Sequence, residues 1–298
     1  MRLEPRFVKL STRTGIEVRR TLPNARKRMI GAWAFVDHFG PTPQTEGMVV
    51  AAHPHTGLQT ATWMFEGRFE HRDSIGSIQL IEPGQLNLMT AGRGIAHSEL
   101  SLADANTLHA VQLWIALPDS VRKMAPEFQH LSDLPSVELG QATATVFAGA
   151  LFGEPDLRAS TKIFSPLVGA EIRIPAGTAT IVSLDPKFEH GLLVVQGEVK
   201  IDDSSIDLHT MEYRGLGTET LVIFNSGTTE SILILLGGEP FDEPIVMWWN
   251  FIERSHEEIV EARNRWNSRD SSIPEFEDRI GGRTPAPELP NVTLRSRL

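Results

Sequence analysis

The segment AAHPHTGLQT, residues 51–60, places His53 and His55 two positions apart. On an extended strand, residues i and i+2 project from the same face, so the two imidazoles present their nitrogens side by side. A second pair with this spacing lies downstream in MTAGRGIAHSEL, where His97 and Glu99 share a strand face in the same way. Between the pairs the chain has room for a strand, a turn at Gly67, a second strand and a turn at Pro83-Gly84. An antiparallel sheet can therefore bring the pairs together as a cluster of three histidines and one carboxylate. Such a donor set suits Fe(II), Mn(II), Ni(II) or Cu(II) better than Mg or Ca, which favour all-oxygen sites.

A lone histidine on a strand is more often a hydrogen-bonded core or surface residue than a ligand, and HxH alone is a weak signal. HxH joined to HxE in a cysteine-free, β-rich chain is a much stronger one. The other histidines lack such company. His71 and His109 lie in strand-like stretches, where a solvated position is the plainer reading and an outer role beside a metal the alternative. His38, His130, His190, His209 and His256 have no partner at ligand spacing. Ser98 is expected to face away from its two neighbours, because strand side chains alternate. Trp63, Phe65, Met89 and Trp114 could line a cavity at the metal, although ordinary barrel core is the plainer reading for any one of them.

The elements that must position these residues are short strands. Runs such as LQTATWMFEG, IGSIQLIEPG, LNLMTAG and LHAVQLWIALP are followed by AEIRIPAG, TATIVSLDP, GLLVVQGEVKID, ETLVIFNSG and SILILLGG. Twenty-four glycines and 19 prolines punctuate them. This pattern predicts an all-β protein of sandwiches or barrels. A weak internal repeat, EGRFEHRD against QGEVKIDD, recurs at an offset of 130 (66 to 196). At that offset His53 and His55 correspond to Ser183 and Asp185, and no second HxH exists, so the second half is expected to be metal-free. One helix is predicted near the C-terminus: Ser255 and Glu258 form a capping box, and Ile259, Ala262 and Trp266 recur at helical spacing. The Pro- and Gly-rich residues beyond it read as an extended arm or a partly disordered tail.

The formal charge of −10 argues against a basic surface for nucleic acid. The absence of cysteine excludes a disulfide scaffold, a thiolate metal site and a cysteine nucleophile. The charged stretch MRLEPRFVKLSTRTG lacks the apolar core of a signal peptide and no apolar run is long enough to span a membrane, so a cytoplasmic location is expected. AGRGIA contains GxG outside any βαβ pattern, and no GxSxG elbow is present.

HPHTGLQTATWMFEGRFEHRDSIG followed by PGQLNLMTAGRGIAHSE closely resembles the signature of the pirins, within the cupin superfamily. RRTLPNARKRMIGAWAFVDHFGP, LHAVQLWIALP and GEPFDEPIVMWWNFIERSHEEIVEA resemble further parts of bacterial members, so the resemblance covers most of residues 15–270. HPHTG has threonine where many members have arginine, and GAW replaces the more usual GPF, departures that bear on substrate preference rather than on ligands. The resemblance implies two tandem cupin (jelly-roll-like) β-barrels with a C-terminal helix. The expected division is a metal-binding barrel over 1–132, a linker over 133–144, a metal-free barrel with the closing helix over 145–270, and a tail over 271–298. The ligand motif maps onto His53, His55, His97 and Glu99, with Fe(II) foremost and Mn, Ni, Cu or Zn as alternatives. Some pirins are similar to flavonol dioxygenases that cleave quercetin with O2, and that resemblance implies Glu99 as ligand and base. Others resemble regulatory proteins that bind a protein partner according to the state of the iron. A monomer is expected, since two barrels in one chain already bury what single-barrel cupins bury by dimerising.

Overall fold

The computed structural model describes residues 1–10, 17–43, 48–102, 107–154, 156–276, 278 and 281–296. The runs rich in Val, Ile, Thr, Leu and Trp form strands, as the fit of these side chains to a pleated surface requires. In the first barrel, Leu58–Glu66 and Thr107–Ala116 pair antiparallel, from Leu58 opposite Ala116 to Glu66 opposite His109, with a one-residue shift between His109 and Ala110. They lie inside a seven-stranded sheet. A facing four-stranded sheet has the order Val49–His55, Ile95–Ser101, Phe69–Asp73, Ile78–Ile81. Met64, Phe69, Ile81, Leu108 and Ala110 form part of the apolar core of this barrel.

The second barrel repeats the plan. Its four-stranded sheet runs Ala179–Ser183, Thr220–Asn225, Val199–Ile201, Ser204–Ile206, and its larger sheet has Met211–Arg214, Glu189–Gln196, Ser231–Gly238 and Leu167–Ile174 as neighbours. Matching strands are 130 residues apart at the start (Val49 and Ala179) but 124 at the end (Thr107 and Ser231), because the later loops are shorter. Strand pairing therefore locates counterparts better than a constant offset. In the first barrel Glu99 sits opposite both His71 and Val50, and in the second Ile223 sits opposite both Ile201 and Thr180. The counterparts of His71 and Glu99 are thus two isoleucines, fully buried in that barrel's core.

The compact units divide the chain differently from the expected sequential domains. One contains Met1–Phe7, Arg19–His38 and Leu131–Phe241; the other contains Val8–Val18, Phe39–His130 and Asp242–Leu298. The segment expected as a linker, 133–144, holds the strand Ser136–Leu139, which pairs with Ala142–Gly149. The C-terminal helix, His256–Asn267, belongs with the first barrel rather than the second. Ile259, Ala262 and Trp266 on its inner face pack with Ala96 of the His97 strand. Its Ser255 N-cap accepts the Glu258 N–H at 3.2 Å, while the Glu258 carboxylate reaches back to the Arg254 N–H at 2.9 Å. The buried Arg122 guanidinium is met by carboxylates of Asp119, Glu253 and Glu258 at 2.6, 2.7 and 2.8 Å. This compensation allows its charge to be buried.

Some described residues of the segment expected as an extended or partly disordered tail pack against the helix. Ile273 and Ala286 are buried in the helix cluster. The Arg283 guanidinium lies 3.4 Å from the centroid of the Trp266 ring, and the Thr284 N–H donates to Ala52 O at 2.8 Å. No helix among the described residues is long and apolar enough to cross a membrane.

Candidate metal centre

His53 and His55 stand at the end of Val49–His55, and His97 and Glu99 on Ile95–Ser101, adjacent strands of the first barrel. His97 is directly opposite His53 on one side and Asp73 on the other. The strands bring His53, His55 and His97 together, with one ring nitrogen of each within 4.8 Å of the others. Glu99 falls into a second group with His97 and His71 rather than into that triad. A register shift between His97 and Glu99 accounts for part of this separation on the Val49–His55 side. His71 is only 4% exposed, so the solvated strand position expected of it is replaced by a buried place beside His97. The signal for it was EHRD, in which His71 and Asp73 are themselves an i, i+2 pair.

Hydrogen-bond partners assign the imidazole tautomers. His53 Nδ1 donates to Ala51 O at 2.9 Å and His55 Nδ1 donates to Asn250 O at 3.1 Å, leaving a lone pair on each Nε2. Asp73 Oδ2 accepts from His71 Nε2 at 3.0 Å. His71 Nδ1 is then an acceptor, 3.4 Å from the donor His97 Nδ1, and His97 Nε2 also carries a lone pair. His55 Nε2 and His97 Nε2 face each other at 3.1 Å, a repulsive meeting of lone pairs that a cation between them resolves. Burial lowers the His53 pKa to about 4 and pushes His55 and His97 well below the ordinary imidazole range. All three are thus neutral donors at pH 7, the form a metal needs. The residues present fit a divalent transition metal, whose ligating histidines typically pass their other N–H to a carbonyl or carboxylate.

The outer partners are themselves fixed. Asp73 Oδ1 accepts the N–H groups of Ile75 and Ser77, both at 3.0 Å, which closes a turn around the carboxylate. Burial raises the Asp73 pKa, but the hydrogen bonds from His71 and Ser77 outweigh it and hold the carboxyl below its usual range. Burial pushes the Glu99 carboxyl up to about 7. The Trp114 ring lies 5.1 Å from that of His55, and Phe128 stacks on His71 at 4.5 Å. Met89 shares the Trp114 face, because Thr60 sits opposite both. Trp63 and Phe65 alternate with Thr60 and Thr62 and turn to the other face, away from Trp114, where the Phe65 ring lies 4.6 Å from that of His109. Ser98 likewise points away and donates to Asp278 at 3.0 Å. Asn250, beside a tight turn after Val246–Trp248, carried no sequence signal for its role, since only its carbonyl is used.

Two family models match the chain: Pirin over residues 15–115 and Pirin C-terminal cupin domain over 169–271. A protein from Pseudomonas aeruginosa, provisionally named quercetin 2,3-dioxygenase, is 43% identical over 279 residues, 93% of this chain and 87% of that one. A pirin-like protein from Caulobacter vibrioides is 35% identical over 91% of this chain and 94% of its own. Among solved structures, a quercetin 2,3-dioxygenase from Acinetobacter baumannii superposes with a TM-score of 0.93 at 39% identity, covering 99% of this chain and 97% of that chain. The chain belongs to the pirin family, and its two barrels are cupin domains.

Proposed function

We propose that this protein is a metal-dependent dioxygenase acting on quercetin-like flavonols. The observation that carries the reading is the convergence of one ring nitrogen from each of His53, His55 and His97 within 4.8 Å, with partners Ala51 O, Asn250 O and the Asp73–His71 pair setting their tautomers. These histidines would hold the ion, and Glu99, which the structure groups with His97 and His71 and not with the triad, would complete the set as a fourth donor; Fe(II) is favoured, and Mn, Ni, Cu and Zn share the donor preference. Bound ferrous iron supplies Lewis acidity and redox chemistry toward O2. The chain's own residues do the rest. Glu99, beside His97, takes the proton of a flavonol hydroxyl as the substrate settles. Trp114 and Met89 give the site an apolar flank suited to a flat aromatic body. The relatives provisionally or directly named quercetin 2,3-dioxygenase support this substrate class.

The test is O2 uptake and carbon monoxide release by anaerobically Fe(II)-loaded protein mixed with quercetin, with Glu99→Ala assayed beside it and metal content measured for both. The expected result is uptake that requires the metal and falls about 100-fold or more in the variant. Uptake that persists unchanged in Glu99→Ala with its metal retained removes Glu99 from the chemistry. No uptake from a fully loaded site removes the flavonol reading.

A further inference from the structure

The second barrel contains a cavity of about 710 Å³, within the size range of small-molecule sites. Ser183 and Asp185, 130 residues after His53 and His55, are among its lining residues. Most of its wall is apolar, with Val168, Leu235, Phe164 and Phe188 contributing. Two polar features stand out. His190 is 1% exposed, and its Nδ1 is buried with no hydrogen-bond partner among the described residues. Arg158, exposed at the rim, forms no ion pair among the described residues.

The His190 position is built rather than incidental. Val168, Gly237 and His190 are opposite one another across three strands. A Cβ at 237 would lie 2.6 Å from His190 Cδ2 and 2.9 Å from Val168 Cγ1, so glycine makes the space the imidazole occupies. Trp33 Nε1 donates to the carbonyls of Val168 and Gly237, each at 3.2 Å, and pins the row. Burial lowers the His190 pKa to about 4 despite nearby Asp185 and Glu189, so the ring is neutral at pH 7. A buried polar atom without a partner is uncommon in a folded protein.

We propose that this cavity binds a small planar aromatic carboxylate bearing a phenolic hydroxyl, with the carboxylate on Arg158, the ring against the phenylalanine wall and the hydroxyl on His190. The cation at the mouth selects an anion. The aromatic side chains favour a flat ring. His190, a lining residue, offers its neutral ring as the hydrogen-bonding group of the wall. This site is separate from the histidine cluster of the first barrel and does not depend on its chemistry.

The probe is 6-hydroxy-2-naphthoate, titrated into the full chain and followed by its fluorescence and by calorimetry. Saturable one-to-one binding is expected. Arg158→Gln, at an exposed position, should weaken it about tenfold, and the uncharged 6-hydroxy-2-naphthamide should bind the unaltered protein as poorly. 2-Naphthoate should bind several-fold more weakly than the hydroxylated probe to the unaltered protein and equally to His190→Phe. His53→Ala should leave the titration unchanged. Absence of saturable binding overturns the proposal. So does binding that survives Arg158→Gln but disappears in His53→Ala, which would place the probe in the first barrel.

Discussion

Asp73→Asn changes one atom and almost no volume, yet it reverses the polarity of a relay of three residues. In the native protein, Asp73 Oδ1 accepts two backbone N–H groups and Oδ2 accepts from His71. An asparagine keeps its oxygen on the two N–H donors, because the opposite orientation would set its NH2 against both. The NH2 then faces His71 Nε2, which must become the acceptor. The His71 proton moves to Nδ1 and is donated to His97 Nδ1 across the 3.4 Å contact. His97 consequently carries its remaining proton on Nε2, the atom 3.1 Å from His55 Nε2, and one of three converging lone pairs is lost. Loss of an outer partner of a ligating histidine lowers metal affinity by roughly 10–100-fold, equivalent to about 1.4–2.7 kcal/mol. Competition titration of Zn(II) and anaerobic Fe(II) against a chromophoric chelator measures this directly. In a His71→Phe background, the same substitution should have little further effect, since the relay is already cut. An affinity within about twofold of the unaltered protein, or a full additional loss in the His71→Phe background, would refute coupling through His71.

Three further outcomes are expected. Gly57→Ala should destabilise the first barrel by about 2 kcal/mol or more, read by calorimetry, because φ there is +68° and the new Cβ would lie 1.9 Å from Ile252 O. It should also weaken metal binding, since Ile252 is joined to the chain that presents Asn250. Burial opposes ionisation of Glu258, but hydrogen bonds from Arg122, the Arg254 N–H and Lys123 prevail and lower its pKa to about 2. Its contribution is therefore fully present above the unfolded carboxyl pKa of about 4.3 and is lost as pH falls toward 2. Denaturant titrations should show Glu258→Gln less stable at pH 7, with the gap narrowing below pH 4; a gap independent of pH would exclude the ionised pairing. Finally, Cu(II) or Fe(II) bound at the histidines should quench the emission of Trp114, whose ring is 5.1 Å from His55, and Trp114→Phe should remove most of the quenching.

The two i, i+2 pairs, the β-strand pattern and the capped helix were readable from local spacing, because each depends on residues within one element. What escaped was what depends on register between strands. His71 looked solvated until its strand was paired with Ile95–Ser101, which sets it opposite Glu99. Trp63 and Phe65 resembled Met89 and Trp114 in type, and only the alternation of Leu58–Glu66 against its neighbours separates them. The shift of His97 relative to Glu99 comes from a ladder irregularity that no periodicity announces. Asn250 acts through its backbone, to which side-chain identity is blind. The tail was read from Pro and Gly content as extended or partly disordered, but two of its apolar residues, Ile273 and Ala286, are buried against the helix.

The interleaved make-up of the two units bears on how the protein is made. Met1–Phe7 and Arg19–His38 are synthesised first, yet their unit is finished only by Leu131–Phe241. The carbonyl that orients His55 belongs to a residue 195 positions later, so the histidine cluster cannot mature until nearly the whole chain has left the ribosome. Early segments must wait with apolar strand surface uncovered, the situation in which long-range β topologies fold slowly and aggregate. Metal captured during that interval would meet histidines whose tautomers are not yet selected. A cut near residue 131 would leave neither unit intact, and expression of either half alone should give insoluble material instead of a free-standing cupin.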